Sequence, residues 1–253
     1  MTNSSDIEFA DEGKKLMQPT DVNRDDVSNA TTREGEVRGL RTGGLIPLGG
    51  AAAGVGAALA IIGNALILGA DPVVASDIVS YPLSANAFRL GQVFFTLTQA
   101  LMAAGIVALV GSRMAGAGWR ARLGGGLAVL GFVVTIPGEL VLAFVATQAI
   151  DSNAANAASS VFGIGMLLAD IGLILFGVDA LRARTWPRPW STLPITLGMF
   201  QLLVVTPVVL GAGFASVGAF VVITLQDLLI GAIGLRLWSE RTHDALVANP
   251  QAP

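Results

Sequence analysis

Six long apolar runs separated by short polar stretches organise the chain. They fall at 45–70, 92–111, 123–148, 161–184, 192–212 and 219–238. A helix needs about 20 apolar residues to cross the hydrocarbon core of a bilayer. Backbone polar groups in lipid must be satisfied internally, and a helix does this within itself. The pattern therefore predicts an all-α polytopic membrane protein, with six transmembrane helices bundled over 44–238. The stretch 1–43 is rich in Asp, Glu, Asn, Ser and Thr, so a disordered acidic tail is expected there. A short polar tail is expected at 239–253. No signal peptide is visible, because a long polar stretch precedes the first apolar run. That run is expected to stay in the membrane as an anchor.

Charge gives the bundle a direction. Placing both termini in the cytoplasm puts 14 of the 15 Lys and Arg residues on the inner side and leaves only Arg89 outside. Basic residues in short loops mark the cytoplasmic side. The tryptophans follow the same loops, with Trp119 beside Arg120 and with Trp186 and Trp190 in TWPRPW. Tryptophan favours the headgroup level.

Composition narrows the class. The chain is 53% hydrophobic and 13% charged, whereas soluble domains carry roughly 25% charged residues. Its net charge of −3 comes largely from the N-terminal tail, and no basic stripe is present, so no nucleic-acid partner is expected. There is no cysteine, and the single histidine, His243, lies beyond the last apolar run. That excludes disulfides, thiolate metal sites and bis-histidine haem. Both lysines, Lys14 and Lys15, are in the tail, so no lysine inside the bundle is available for a Schiff base. No cofactor or metal site is expected. No nucleophile–base pair, zinc motif or phosphate loop is present, so no catalytic residue is named and an enzyme is not expected.

The informative residues are three acids inside apolar runs: Glu139, Asp170 and Asp227. At 1.5 Å per residue, Asp170 and Asp227 lie about 15 Å from the outer ends of their runs, near mid-depth. A charge at the centre of a membrane helix costs about 2.5–3.5 kcal/mol on insertion scales. The spans contain no internal Lys or Arg to neutralise them, so the acids must face the bundle. Gln99, Gln201 and Asn64 also interrupt apolar runs. Pro137 lies two residues before Glu139. It lacks the N–H that would bond the Val133 carbonyl, so a kink is expected there. One reading is a proton or cation relay. The other is packing, with protonated acids hydrogen-bonding Gln99, Gln201 and Asn64 across helices. Asp179 differs: it lies near Arg182 at the inner end, and a local salt bridge is expected.

Small residues suggest how helices meet. Gly50, Gly54 and Ala58 form one stripe at four-residue spacing, and Gly49, Ala53 and Ala57 form a second. Such stripes let backbones approach closely in lipid. Gly124, Gly125 and Gly126 read as close packing at the start of the third span. Asp170 precedes Gly177 by seven residues, as Asp227 precedes Gly234, and spans two, four and six all end within two residues of an arginine.

The span with Gln99, the Pro137-Gly138-Glu139 turn and the Arg-Trp loops, in a sequence biased to Ala, Gly and Arg, resemble the small six-helix integral membrane proteins of unknown function in high-GC actinobacteria. The resemblance covers about 44–238 and implies a bacterial cytoplasmic membrane. It implies no activity. The expected partners are the lipid bilayer and a protein partner or second copy of the chain. Three functional readings follow. The first is a non-enzymatic membrane protein acting through a partner or by packing. The second is a proton-coupled small-solute transporter using the carboxylates, and the third is an intramembrane acid hydrolase.

Overall fold

A computed structural model describes residues 24–248, with side chains described over 44–239. Apart from Ser239, the expected tails lie outside the residues with described side chains. The chain divides into units Met1–Leu40 and Arg41–Pro253, and the architecture below belongs to the second.

The helices are α1 (Arg24–Leu68), α2 (Ala85–Gly111), α3 (Trp119–Phe144), α4 (Asn153–Ala183), α5 (Leu193–Phe200), α6 (Thr206–Ala212) and α7 (Val217–Ala248). A single 3-10 turn, Trp190–Thr192, leads into α5, and a π-helical segment, Gln201–Val205, joins α5 to α6. Six stretches are long and apolar enough to cross a membrane: Gly44–Leu68, Ala85–Gly111, Trp119–Phe144, Asn153–Ala183, Trp190–Ala212 and Val217–Ser239. The expected fold class is the observed one. Large apolar side chains such as Leu66, Leu90, Phe144 and Leu210 point outward. In water that surface would be an aggregation liability; in lipid it is the solvated face.

Helix ends depart from the ends of the apolar runs. α2 begins seven residues earlier than expected and α4 eight. Capping sets these ends, not hydropathy. The hydroxyls of Ser84 and Ser152 accept hydrogen bonds from the N–H groups of Ala87 and Ala155, satisfying otherwise orphaned donors. The alanine-rich stretch after Ser152 then extends the helix on propensity.

Adjacent spans pack in chain order, and α7 returns to α1 to close a ring. Each seam is built on small residues. Between α3 and α4, Gly124, Gly131 and Gly138 interdigitate with Gly165, Ala169 and Gly172. A Cβ on Gly131 would lie 2.3 Å from the Ala169 nitrogen, and one on Gly172 2.2 Å from the Ala128 nitrogen. The two stripes on α1 meet α2 and α7. Gly49 and Ala53 meet Ala108 and Gly105 of α2, while Gly50 meets Gly234 and Leu237 of α7. Gly124 and Gly125 also divide their work, against α4 and Val110 of α2, and Gly126 meets nothing.

The loops tie the ends. At one end, Ile78 bridges Ala149, with bonds from Val79 N–H to the Gln148 carbonyl and from Ile150 N–H to that of Asp77. At the other, the Thr185 hydroxyl donates to the Met114 carbonyl, joining the turn after α2 to the turn after α4. Asp179 and Arg182 form the expected salt bridge at 3.6 Å. Its arginine is 63% exposed, so its contribution to stability is small.

Candidate functional site

The three intramembrane acids are buried. Asp170 is 3% exposed, Asp227 5% and Glu139 8%. Each departs from the rule that buried polar groups are hydrogen-bonded. Among the described residues, none of the three carboxylates has a salt bridge or a hydrogen bond. One oxygen of Asp227 is completely enclosed without a donor, as are the Gln201 side-chain carbonyl oxygen and the Thr224 hydroxyl. The hydrogen bonds to Gln99, Gln201 and Asn64 required by the packing reading are not made.

Helix register shows which acids share a level. No group of three Asp, Glu or His side chains among the described residues is close enough to hold one metal ion, so Glu139, Asp170 and Asp227 do not meet at a point. Gly131 of α3 faces Ala169, and Gly138 faces Phe162. Glu139 is therefore displaced from Asp170 by nine residues of helix, about 13.5 Å, toward the Phe144 end of α3. α3 continues through Pro137 as one helix, and the neighbouring Thr135 hydroxyl donates to the Gly131 carbonyl at 2.9 Å.

Asp170 and Asp227 instead lie at the depth of the π-helical segment. Gly198 of α5 packs against the Asp170 carbonyl, and Gly177 against Ile195. Asp170 thus lies on the α5-facing side of α4. Side chains lean toward the N-terminus of their helix, which carries the Asp170 carboxyl toward the level of Gln201, one turn beyond Gly198. On the other side, the tight turn after α6 sets the register of α7. Gln201 lies twelve residues before Gly213, and Asp227 eleven residues after Ser216. The π-helical segment packs against both α4 and α7.

A second polar face continues along α7. Thr224 and Asp227, three residues apart, share a side of the helix. Gly231 meets Ala57 of α1. Counting seven residues along each antiparallel helix from that contact brings Thr224 level with Asn64. Asn64 and Gln99 are only half buried. The arrangement is a belt of polar groups at one depth, Asp170, Gln201, Asp227 and Thr224, in which oxygens of the last three are enclosed without a partner among the described residues, and Glu139 stands apart.

The π-helical segment is the feature that sequence reading misses. Its signature is the bond from Thr206 N–H to the Gln201 carbonyl, five residues back. The cause is Pro207, which cannot donate to the Leu203 carbonyl and whose ring crowds it. Widening the turn before the proline relieves both problems, and π-bulges occur frequently at functional sites. A proline six residues after a glutamine inside a span was the available signal. Thr224 carried none, because threonine is common in membrane helices.

The repeated spacing of Asp170 with Gly177 and Asp227 with Gly234 also acquires a structural meaning. Each glycine is a backbone contact with the neighbouring span, and each aspartate lies two turns away on the same face. No family model, curated protein or solved structure matches the chain. Fold and site together define a six-helix, multi-pass membrane protein with a buried acidic belt.

Proposed function

We propose that the protein is a non-enzymatic, proton-coupled transporter of a small solute in a bacterial cytoplasmic membrane. Asp170 and Asp227 are its exchangeable carboxylates, and Gln201 lies between their helices. One observation carries this reading: the buried acids have neither a cation nor a hydrogen-bond donor among the described residues. A proton, a cation or water from outside the chain would supply the partner. Interhelical packing by acids has the opposite signature, a donor on the neighbouring helix. The π-helical segment supports the reading, because it leaves irregular backbone at the depth of the carboxylates, as in the interrupted helices that line ion sites. The count of basic residues supports an orientation with both termini in the cytoplasm.

The test is solute-driven proton movement in liposomes containing the full chain, followed with an internal pH dye over a broad panel of small solutes. At least one solute should drive flux, and Asp170→Asn or Asp227→Asn should reduce it by about tenfold or more, given the roles of intramembrane ionisable groups. Silence across the panel, or full flux in both variants, removes the proposal.

A further inference from the structure

The arginine-rich end of the bundle contains a cavity unrelated to the acidic belt. It has a volume of about 340 Å³ and lies between the end of α2, the start of α3 and the flank of α4. Val110, Phe176 and Ala121 form its apolar walls, and Arg113 and Arg122 reach it from either side. Neither guanidinium has an acid or hydrogen-bond acceptor among the described residues. The only described salt bridge at this end is made by Arg182 and Asp179.

Arg113 is held at a backbone cost. Its φ is +56°, in the left-handed region where glycine is at ease and a residue with a Cβ is not. The turn after α4 places Arg184 likewise at +52°, and the Thr185 hydroxyl bonds the two turns together through the Met114 carbonyl. Strained backbone of this kind persists where its surroundings hold it, often at ligand sites. The opposite wall is the first turn of α3. Gly118 caps that helix without a side-chain hydrogen bond, leaving its first N–H groups without a side-chain acceptor from the cap. Trp119 is exposed there, with Arg120 5.6 Å from its ring centre. Exposed tryptophan places the mouth at the headgroup level.

We propose that this cavity binds the phosphate of an anionic phospholipid headgroup, with Arg113 and Arg122 as its two clamps. Guanidinium groups match phosphate oxygens in geometry and charge. Basic pockets between helix ends are suited to anionic headgroups. The apolar walls meet the glycerol and upper acyl chain.

The test uses delipidated full-length protein in neutral detergent, with thermal unfolding followed against added ligand. The ligands are dihexanoyl phosphatidylglycerol, dihexanoyl phosphatidylcholine and inorganic phosphate. Phosphatidylglycerol should raise the midpoint in a saturable way, and phosphatidylcholine should not. Arg113→Gly should weaken the apparent affinity about tenfold, the loss expected for one charge-assisted contact. Because glycine relieves the left-handed strain, that variant should unfold no lower than the parent without lipid, separating binding from folding. Arg122→Gln should show the same loss, while Arg188→Gln, outside the cavity, should bind normally. Equal stabilisation by phosphatidylcholine, undiminished affinity in both cavity variants, or saturation by inorganic phosphate as tight as by the lipid would overturn the assignment.

Discussion

An acid inside an apolar run stands out because its cost is local: lipid penalises a charge wherever its neighbours lie. Asp170, Asp227 and Glu139 were therefore legible from sequence. Their company was not, because it depends on the register between helices far apart in the chain. Glu139 proved to be about two and a half turns from the level of Asp170, while Gln201 lies in a π-helical segment packed against the helices of both aspartates. The missing donors also make a stability prediction. A carboxyl that bonds nothing in the protein holds nothing together. Asp170→Asn should shift the unfolding midpoint in detergent by no more than about 3 °C, equivalent to about 1 kcal/mol for a chain of this size. A fall of 8 °C or more would show that the carboxyl secures the bundle and would favour packing over exchange.

At the scale of elements, helix existence was readable and helix ends were not. Hydropathy identifies the part of a helix in lipid. Ser84 and Ser152 set the ends by capping donors outside that zone. Close packing was legible only as a tendency, since glycine is frequent in every span and does not name its neighbour. The glycines are nevertheless unequal. A Cβ on Gly131 would intrude on the backbone of α4, whereas Gly126 has no neighbour within 4 Å. Gly131→Ala should cost about 1–3 kcal/mol through overpacking. Gly126→Ala should leave the midpoint unchanged or slightly raised. Thermal unfolding of the two purified variants checks the contrast, and equal midpoints would contradict the α3–α4 seam.

The whole molecule has two chemically different ends. All four tryptophans, Trp119, Trp186, Trp190 and Trp238, lie at the end carrying Arg113, Arg120, Arg122, Arg182, Arg184, Arg188 and Arg236. Arg236 also sits 5.3 Å from the ring centre of Trp186. The opposite end carries Arg89 and the paired loops. The absence of cysteine makes the orientation directly measurable. In intact cells, a membrane-impermeant maleimide should label Tyr81→Cys and spare Arg188→Cys. Lysis should expose the second site. The reverse labelling would invert the orientation and move the arginine-lined cavity to the outer leaflet.

The closure of α7 on α1 imposes a timetable on assembly. Gly234 docks against Gly50 and Gly54 through backbone atoms, yet the ribosome makes the two faces about 180 residues apart. At roughly 5–20 residues per second, the glycine face of α1 waits on the order of 10–40 s for its partner. Until then, the nascent bundle is an open arc with a sticky edge. An insertion chaperone, or a neighbouring nascent copy, has that interval in which to occupy it.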